Sequence, residues 1–189
     1  MRFAFFAALF AYATVGLLQL VAASPILDTK DMIRRDNSDI VAVMTKLNQT
    51  VGGILGQMDN LVSSKQAKVG TIAPLVAELN NALRGGALEL SKLSPASLRR
   101  RQSDEQVAQI TASLVTAIAT TLKSVTQALG GLPVLGGLLT GIDTSLNQVL
   151  FGLSVLLQGV LRLVANLLTN VAQLLRNLAF GLSLGTLGL

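Results

Sequence analysis

The sequence predicts an all-α fold: a loosely packed helical bundle with a long, apolar, amphipathic C-terminal helical region broken by glycine and proline. Three observations carry that expectation. Apolar residues recur at steps of three and four in both halves of the chain, which places them on single helical stripes. GGLPVLGGLLTG, residues 130–141, interrupts the pattern with glycines and Pro133. Beyond it, polar residues fall three or four apart among Leu, Val, Ala, Phe and Gly, so a helix there has one narrow wet stripe.

The opening MRFAFFAALFAYATVGLLQLVAASP reads as a targeting segment rather than as fold. Arg2 gives the positive start, Phe3 to Leu20 an uncharged apolar stretch, and Ala22, Ala23 and Ser24 the small residues a signal peptidase needs. Residues 1–23 are therefore expected to be a signal peptide, cut after Ala23, with an uncleaved anchor as the competing reading. Its removal takes Tyr12 and four phenylalanines, which leaves Phe151 and Phe180 as the aromatic side chains of a chain without Cys, His or Trp. A secreted protein of that composition has no disulfides to stabilise a small fold and depends on helix packing, partners or an apolar surface.

Residues 24–35, SPILDTKDMIRR, form a candidate propeptide, followed by an N-terminal helical segment, 36–101. Its first helix carries Ile40, Met44, Leu47, Val51, Ile54, Met58 and Leu61 on one stripe, with Asp36, Asn37 or Ser38 as cap. Gly52, Gly53 and Gly56 cost about 1 kcal/mol each relative to alanine, so this helix needs a partner. Ile72, Val76, Leu79 and Leu83 supply one, on a helix expected to start near Thr71 or Pro74 and to stop at Gly85-Gly86. A short element, Ala87 to Leu93, follows. Asn48-Gln49-Thr50 is a glycosylation sequon.

Segment 102–189 begins with a helix capped by Ser103 or Asp104 and striped by Val107, Ile110, Leu114, Ile118, Leu122, Val125 and Leu129. After the glycine-rich stretch, Asn147, Ser154, Gln158, Arg162, Asn166, Thr169, Gln173 and Arg176 mark the polar stripe, leaving an apolar arc of about two thirds of the circumference. Leu150, Leu153, Leu157, Leu161, Val164, Leu168, Val171, Leu175 and Leu178 repeat along that arc as a candidate apolar binding face. Two principal helices offer too little surface to cover it, so it is expected to stay open unless the N-terminal half packs over it. The tail GLSLGTLGL is expected to fray. Uncharged runs from Ser124 to Ile142 and Thr144 to Leu161 approach the roughly 20 residues of a membrane span. The first is broken by glycines and Pro133, and extending the second takes in Arg162, at about 2.5–3.5 kcal/mol for a charge at mid-membrane.

The formal net charge of +5 and a pI near 10.1 invite a nucleic-acid reading, which the distribution of charge refuses. Residues 36–98 balance Asp36, Asp39, Asp59, Glu78 and Glu89 against Lys46, Lys65, Lys68, Arg84 and Lys92, and 102–189 balance likewise. The excess lies in Arg34-Arg35 and Arg99-Arg100-Arg101, flanked by MIRRDNSD and SLRRRQSD. Both have the form of sites for a processing protease that recognises paired arginines in an extended strand, with plain solvated basic loops as the bland alternative. A cut after Arg101 exposes Gln102, which can cyclise to pyroglutamate.

No catalytic, cofactor-binding or metal-ligating residues are expected. General acid–base or nucleophilic chemistry would have to run without His or Cys, zinc and haem lack their usual donors, and no glycine loop continues into Gly-Lys-Ser/Thr. The layout of signal peptide, propeptide, IRRD and LRRRQ seams and a tail such as LRLVANLLTNVAQLLRNL resembles small secreted fungal cysteine-free hydrophobic cell-surface and cell-wall proteins, and less closely hydrophobic surface binding protein A. Hydrophobins proper, with eight cysteines, are excluded. The resemblance implies a secreted, non-enzymatic role at the wall or another interface. The expected partners are hydrophobic surfaces or lipid, a second copy of the chain and a processing protease, but no nucleic acid. The competing expectation is a precursor whose 102–189 fragment is a membrane-active peptide or effector.

Overall fold

The structure is a computed structural model that describes residues 29–93, 101–131 and 135–189, the side chains of 29–37 and 101–103 excepted. Among the described residues there are seven α-helices and no strand, as the all-α expectation requires. They are α1 (Thr29–Ser63), α2 (Val69–Ser91), α3 (Arg101–Ala128), α4 (Gly136–Leu156), α5 (Val160–Leu168), α6 (Ala172–Asn177) and α7 (Gly181–Leu187). Residues 33–189 make one compact unit.

The apolar stripes read from the sequence form the core. Ile40, Met44, Leu47, Val51, Ile54 and Met58 are buried on α1; Ile72, Val76, Leu79 and Leu83 on α2; Val107, Leu114, Ile118, Leu122 and Val125 on α3. A short turn returns α2 antiparallel to α1, so that Leu47 meets Gly86 and Lys46 pairs with Glu89 at 3.1 Å. The Thr121 hydroxyl of α3 donates to Asp59 on α1 at 3.1 Å. α4 packs on α2, α5 and α6 on α3, and α7 on α4 and α5.

Several boundaries differ from the sequence expectation. α2 begins at Val69, where the Lys68 N–H donates to Thr71 Oγ1 at 3.0 Å, and it runs through Gly85-Gly86 to Ser91. The glycine pair is no stop and the expected third element is α2's last turns. Gly86 is where α1 approaches: a Cβ on it would lie 2.7 Å from Leu47 Cδ2. The demand for a small residue at a helix crossing looks, in sequence, like a terminator. α3 starts at Arg101, so Ser103 and Asp104 belong to its first turn instead of capping it. There, burial pushes the Asp104 carboxyl above its ordinary range.

The largest correction is in the C-terminal half. The region expected as one long helical stripe with a fraying tail is four helices, broken at Leu157–Gly159, Thr169–Val171 and Leu178–Phe180. Gly159, with φ +85°, turns the chain between α4 and α5, a conformation L-residues with a Cβ rarely adopt. Nor is GLSLGTLGL left loose: seven of its residues form α7, with Ser183, Leu184 and Leu187 buried. Phe180, just before it, is fully enclosed.

Several helices end in the same way, with a left-handed residue and a reach-back hydrogen bond to the last turn. Gln66 N–H donates to Leu61 O at 2.9 Å around Lys65 (φ 57°), and Phe180 N–H to Leu175 O at 3.0 Å around Ala179 (φ 59°). These two positions carry a Cβ where glycine is the unstrained choice. Ala179→Gly is therefore expected to raise stability by about 0.5–1 kcal/mol. Gly53→Ala, at an open helical position with no atom within 4 Å of the added methyl, is expected to gain up to about 1 kcal/mol. Chemical denaturation measures both, and a loss in either variant contradicts the assignment of its backbone.

Candidate apolar groove between α2 and α4

α2 and α4 run parallel. Asn80 lies beside Gly141 and Ser145, and ten residues further along α2, Leu90 lies beside Gly152. Near their middles the two helices are joined by polar side chains: the Ser145 hydroxyl sits between Asn80 Oδ1 and the Gly141 carbonyl, the latter at 3.0 Å. Gly141 admits Asn80, whose Nδ2 would be 3.2 Å from a Cβ there.

Towards their ends the helices flank an open groove of about 820 Å³. Buried Leu90 and Leu156 form its base, and Ala87, Leu93 and Gly152 contribute apolar surface. Leu88, Phe151 and Val155 stand on its walls with 63%, 64% and 54% of their surface in water. Exposed large apolar side chains are few among the described residues, and the three most exposed meet at this groove.

The free polar groups of the lining gather at one end. Of the lining residues, Arg84, Asn147 and Gln148 come first along their segments and Leu93, Val155 and Leu156 last, so the parallel arrangement sorts them. Asn147 Oδ1 accepts from the Thr186 hydroxyl of α7. Arg84 is exposed and has no hydrogen-bond or ion-pair partner among the described residues. Among the described residues no acidic side chain lines the groove. At the far end the Ser91 hydroxyl is turned onto its own helix, donating to Leu88 O at 2.8 Å.

On the other side of α4, buried Asp143 accepts from Leu182 N–H at 3.0 Å, Ser183 N–H at 2.9 Å and the Ser183 hydroxyl at 2.6 Å. A carboxylate from one helix thus caps the N-terminus of another, where amides lack intrahelical acceptors and the helix dipole favours negative charge. With the Thr186–Asn147 contact, it fixes α7 along α4 and so supports the helix that carries Phe151 and Val155.

The candidate binding face is placed elsewhere than expected. Leu150, Leu153, Leu157, Val164, Leu168, Leu175 and Leu178 are buried, and Leu161 and Val171 are half-buried against the core. In the fold these residues are interior, because the breaks at Gly159 and Ala179 let short helices turn their apolar sides inward and the N-terminal half covers α3 and α4. The exposed pair, Phe151 and Val155, belongs to the same apolar arc at i, i+4 spacing. Only the position of Leu88 across the groove distinguishes them from core, and sequence periodicity carries no such information.

Arg34 and Arg35 lie within helical α1 and Arg101 is the first residue of α3. A protease that needs extended chain must therefore unwind the start of α1 to cut after Arg35. Arg99, Arg100 and the signal-peptide site at Ala23 fall outside the described residues. Asn48 is half-buried on α1. Among the described residues no group of three or more acidic side chains could hold a metal ion, and no helix is long and apolar enough to cross a membrane. No known protein family matches the chain, and no curated protein matches it.

Removing the cap should show in α7 first. Asp143→Ala leaves buried donors without an acceptor and is expected to cost about 2–4 kcal/mol. The Leu182 and Ser183 amides should exchange with solvent faster, while Leu79 on α2 keeps its protection relative to the new global stability. Unchanged exchange at Leu182 and Ser183 would show that the carboxylate does not hold the helix.

Proposed function

We propose that this is a secreted, non-enzymatic protein of the cell surface or cell wall that binds hydrophobic surfaces, and that its contact region is the α2–α4 groove. The exposure of Leu88, Phe151 and Val155 around one open, apolar depression supports the reading. Exposed apolar clusters of this kind mark sites of contact with other molecules or with interfaces. Covering each side chain contributes about 1–2 kcal/mol, something over half of the roughly 1.5–3 kcal/mol for full burial of such a residue. Three together are enough for reversible adsorption without opening the core. The N-terminal segment read as a signal peptide, the absence of cysteine and histidine, and the resemblance to cysteine-free hydrophobic wall proteins support the location and the lack of catalysis in this proposal.

Adsorption to polystyrene beads tests it. The wild-type chain should deplete from solution, and the double variant Leu88→Ser, Phe151→Ser should bind about thirtyfold to a thousandfold more weakly with its helical content unchanged. Equal adsorption by the two proteins contradicts the assignment of the groove. Release of dye from liposomes at low protein concentration would instead favour the membrane-active precursor.

A further inference from the structure

We propose that the groove is a binding site for a single-chain anionic amphiphile, a fatty-acid carboxylate, with its head at Arg84 and its alkyl chain running towards Leu93 and Val155. The inference rests on the reading of this groove as the protein's apolar contact site and assigns its ligand class.

Charge complementarity carries the proposal. A groove made only for a featureless surface has no need of polarity along its length. This one has a cation at one end and apolar walls at the other, because α2 and α4 run parallel and place Arg84 with Asn147 and Gln148. Arg84 has no carboxylate to satisfy it among the described residues, and the lining contains none. A guanidinium offers a planar fork of donors that matches a carboxylate with two parallel hydrogen bonds. Gln148 is exposed on the α4 side of the groove and adds a neutral donor within the same polar end.

The dimensions fit one chain. Arg84 to Ser91 spans about 10.5 Å along the α2 axis and Leu93 lies just past its end, together the reach of an extended alkyl chain of roughly ten carbons. The groove, near 820 Å³ and open to solvent, has room for such a chain, and it is the length between the polar and apolar ends that matches a single one. Leu88, Phe151 and Val155 are more than half exposed and are the side chains an alkyl chain would cover.

Titration of the full chain with dodecanoate, dodecanol and dodecyltrimethylammonium below their micellar concentrations separates head from tail. Dodecanoate should bind saturably at one per chain, dodecanol more weakly and the cationic amphiphile weakest. Arg84→Gln should weaken dodecanoate about tenfold and leave dodecanol unchanged, whereas Phe151→Ser should weaken both. Circular dichroism of each variant checks that the fold is kept, and Arg84→Lys, which retains charge without the fork, should recover part of the loss. Non-saturable uptake, equal affinity of Arg84→Gln for dodecanoate, or dimerisation that excludes the ligand would overturn the proposal. If Arg84→Gln binds dodecanoate normally while the groove variants still lose adsorption to polystyrene, the surface-binding reading stands and the amphiphile site falls. If adsorption is also unchanged, both fall.

Discussion

The C-terminal half carries apolar residues around most of the circumference of any helix it forms, and the fold is organised by the need to cover them. A single long rod would leave much of that surface in water, at about 25 cal/mol for each Å² left uncovered. The chain instead breaks at Gly159, at Thr169–Val171 and at Leu178–Phe180, and the resulting short helices close on α3 and α4. α1 and α2 complete the enclosure: α2 lies along α4, and α1 reaches α3 through Asp59 and Thr121. Neither half has a finished core without the other.

Polar groups set the register of this apolar assembly. Hydrophobic burial is non-directional, and leucine-rich helices admit many packings of similar energy. Asp143 meets two amides and one hydroxyl of α7, Asn80 meets Ser145 between α2 and α4, and Asn147 meets Thr186. Each contact links two elements, and a slip of either helix leaves a buried or half-buried polar group unpaired. The groove follows from that register, since parallel α2 and α4 bring Leu88 opposite Phe151 and Val155 while Arg84 stays at the polar end.

The stripes of α1, α2 and α3 were legible because each of these helices has a contrasting polar side, and Ile40 through Met58 or Val107 through Val125 can be read by spacing alone. Legibility failed where apolar residues lie all around. Gly159 offered a single weak break signal, and Ala179 none, because its left-handed conformation is imposed by Phe180 entering the core and by the bond to Leu175 O. Gly86 is ambiguous in sequence, since a close helix approach and a helix end ask for the same residue. Asp143 looked like one unit of balanced charge, and its partners stand some forty positions away in the tail. The groove itself was not legible: Phe151 and Val155 have the same local pattern as buried Leu150 and Leu153, and only the tertiary arrangement separates them.

The mutual completion of the two halves is tested most directly by cutting the folded chain once, at a protease site placed between Leu93 and Arg101, and passing the product over a sizing column. The account predicts that both pieces elute together as a one-to-one complex that keeps its helical content and its exchange protection at Leu79, Leu146 and Leu175. Separation into an N-terminal piece and a freely soluble, monomeric C-terminal piece would contradict it.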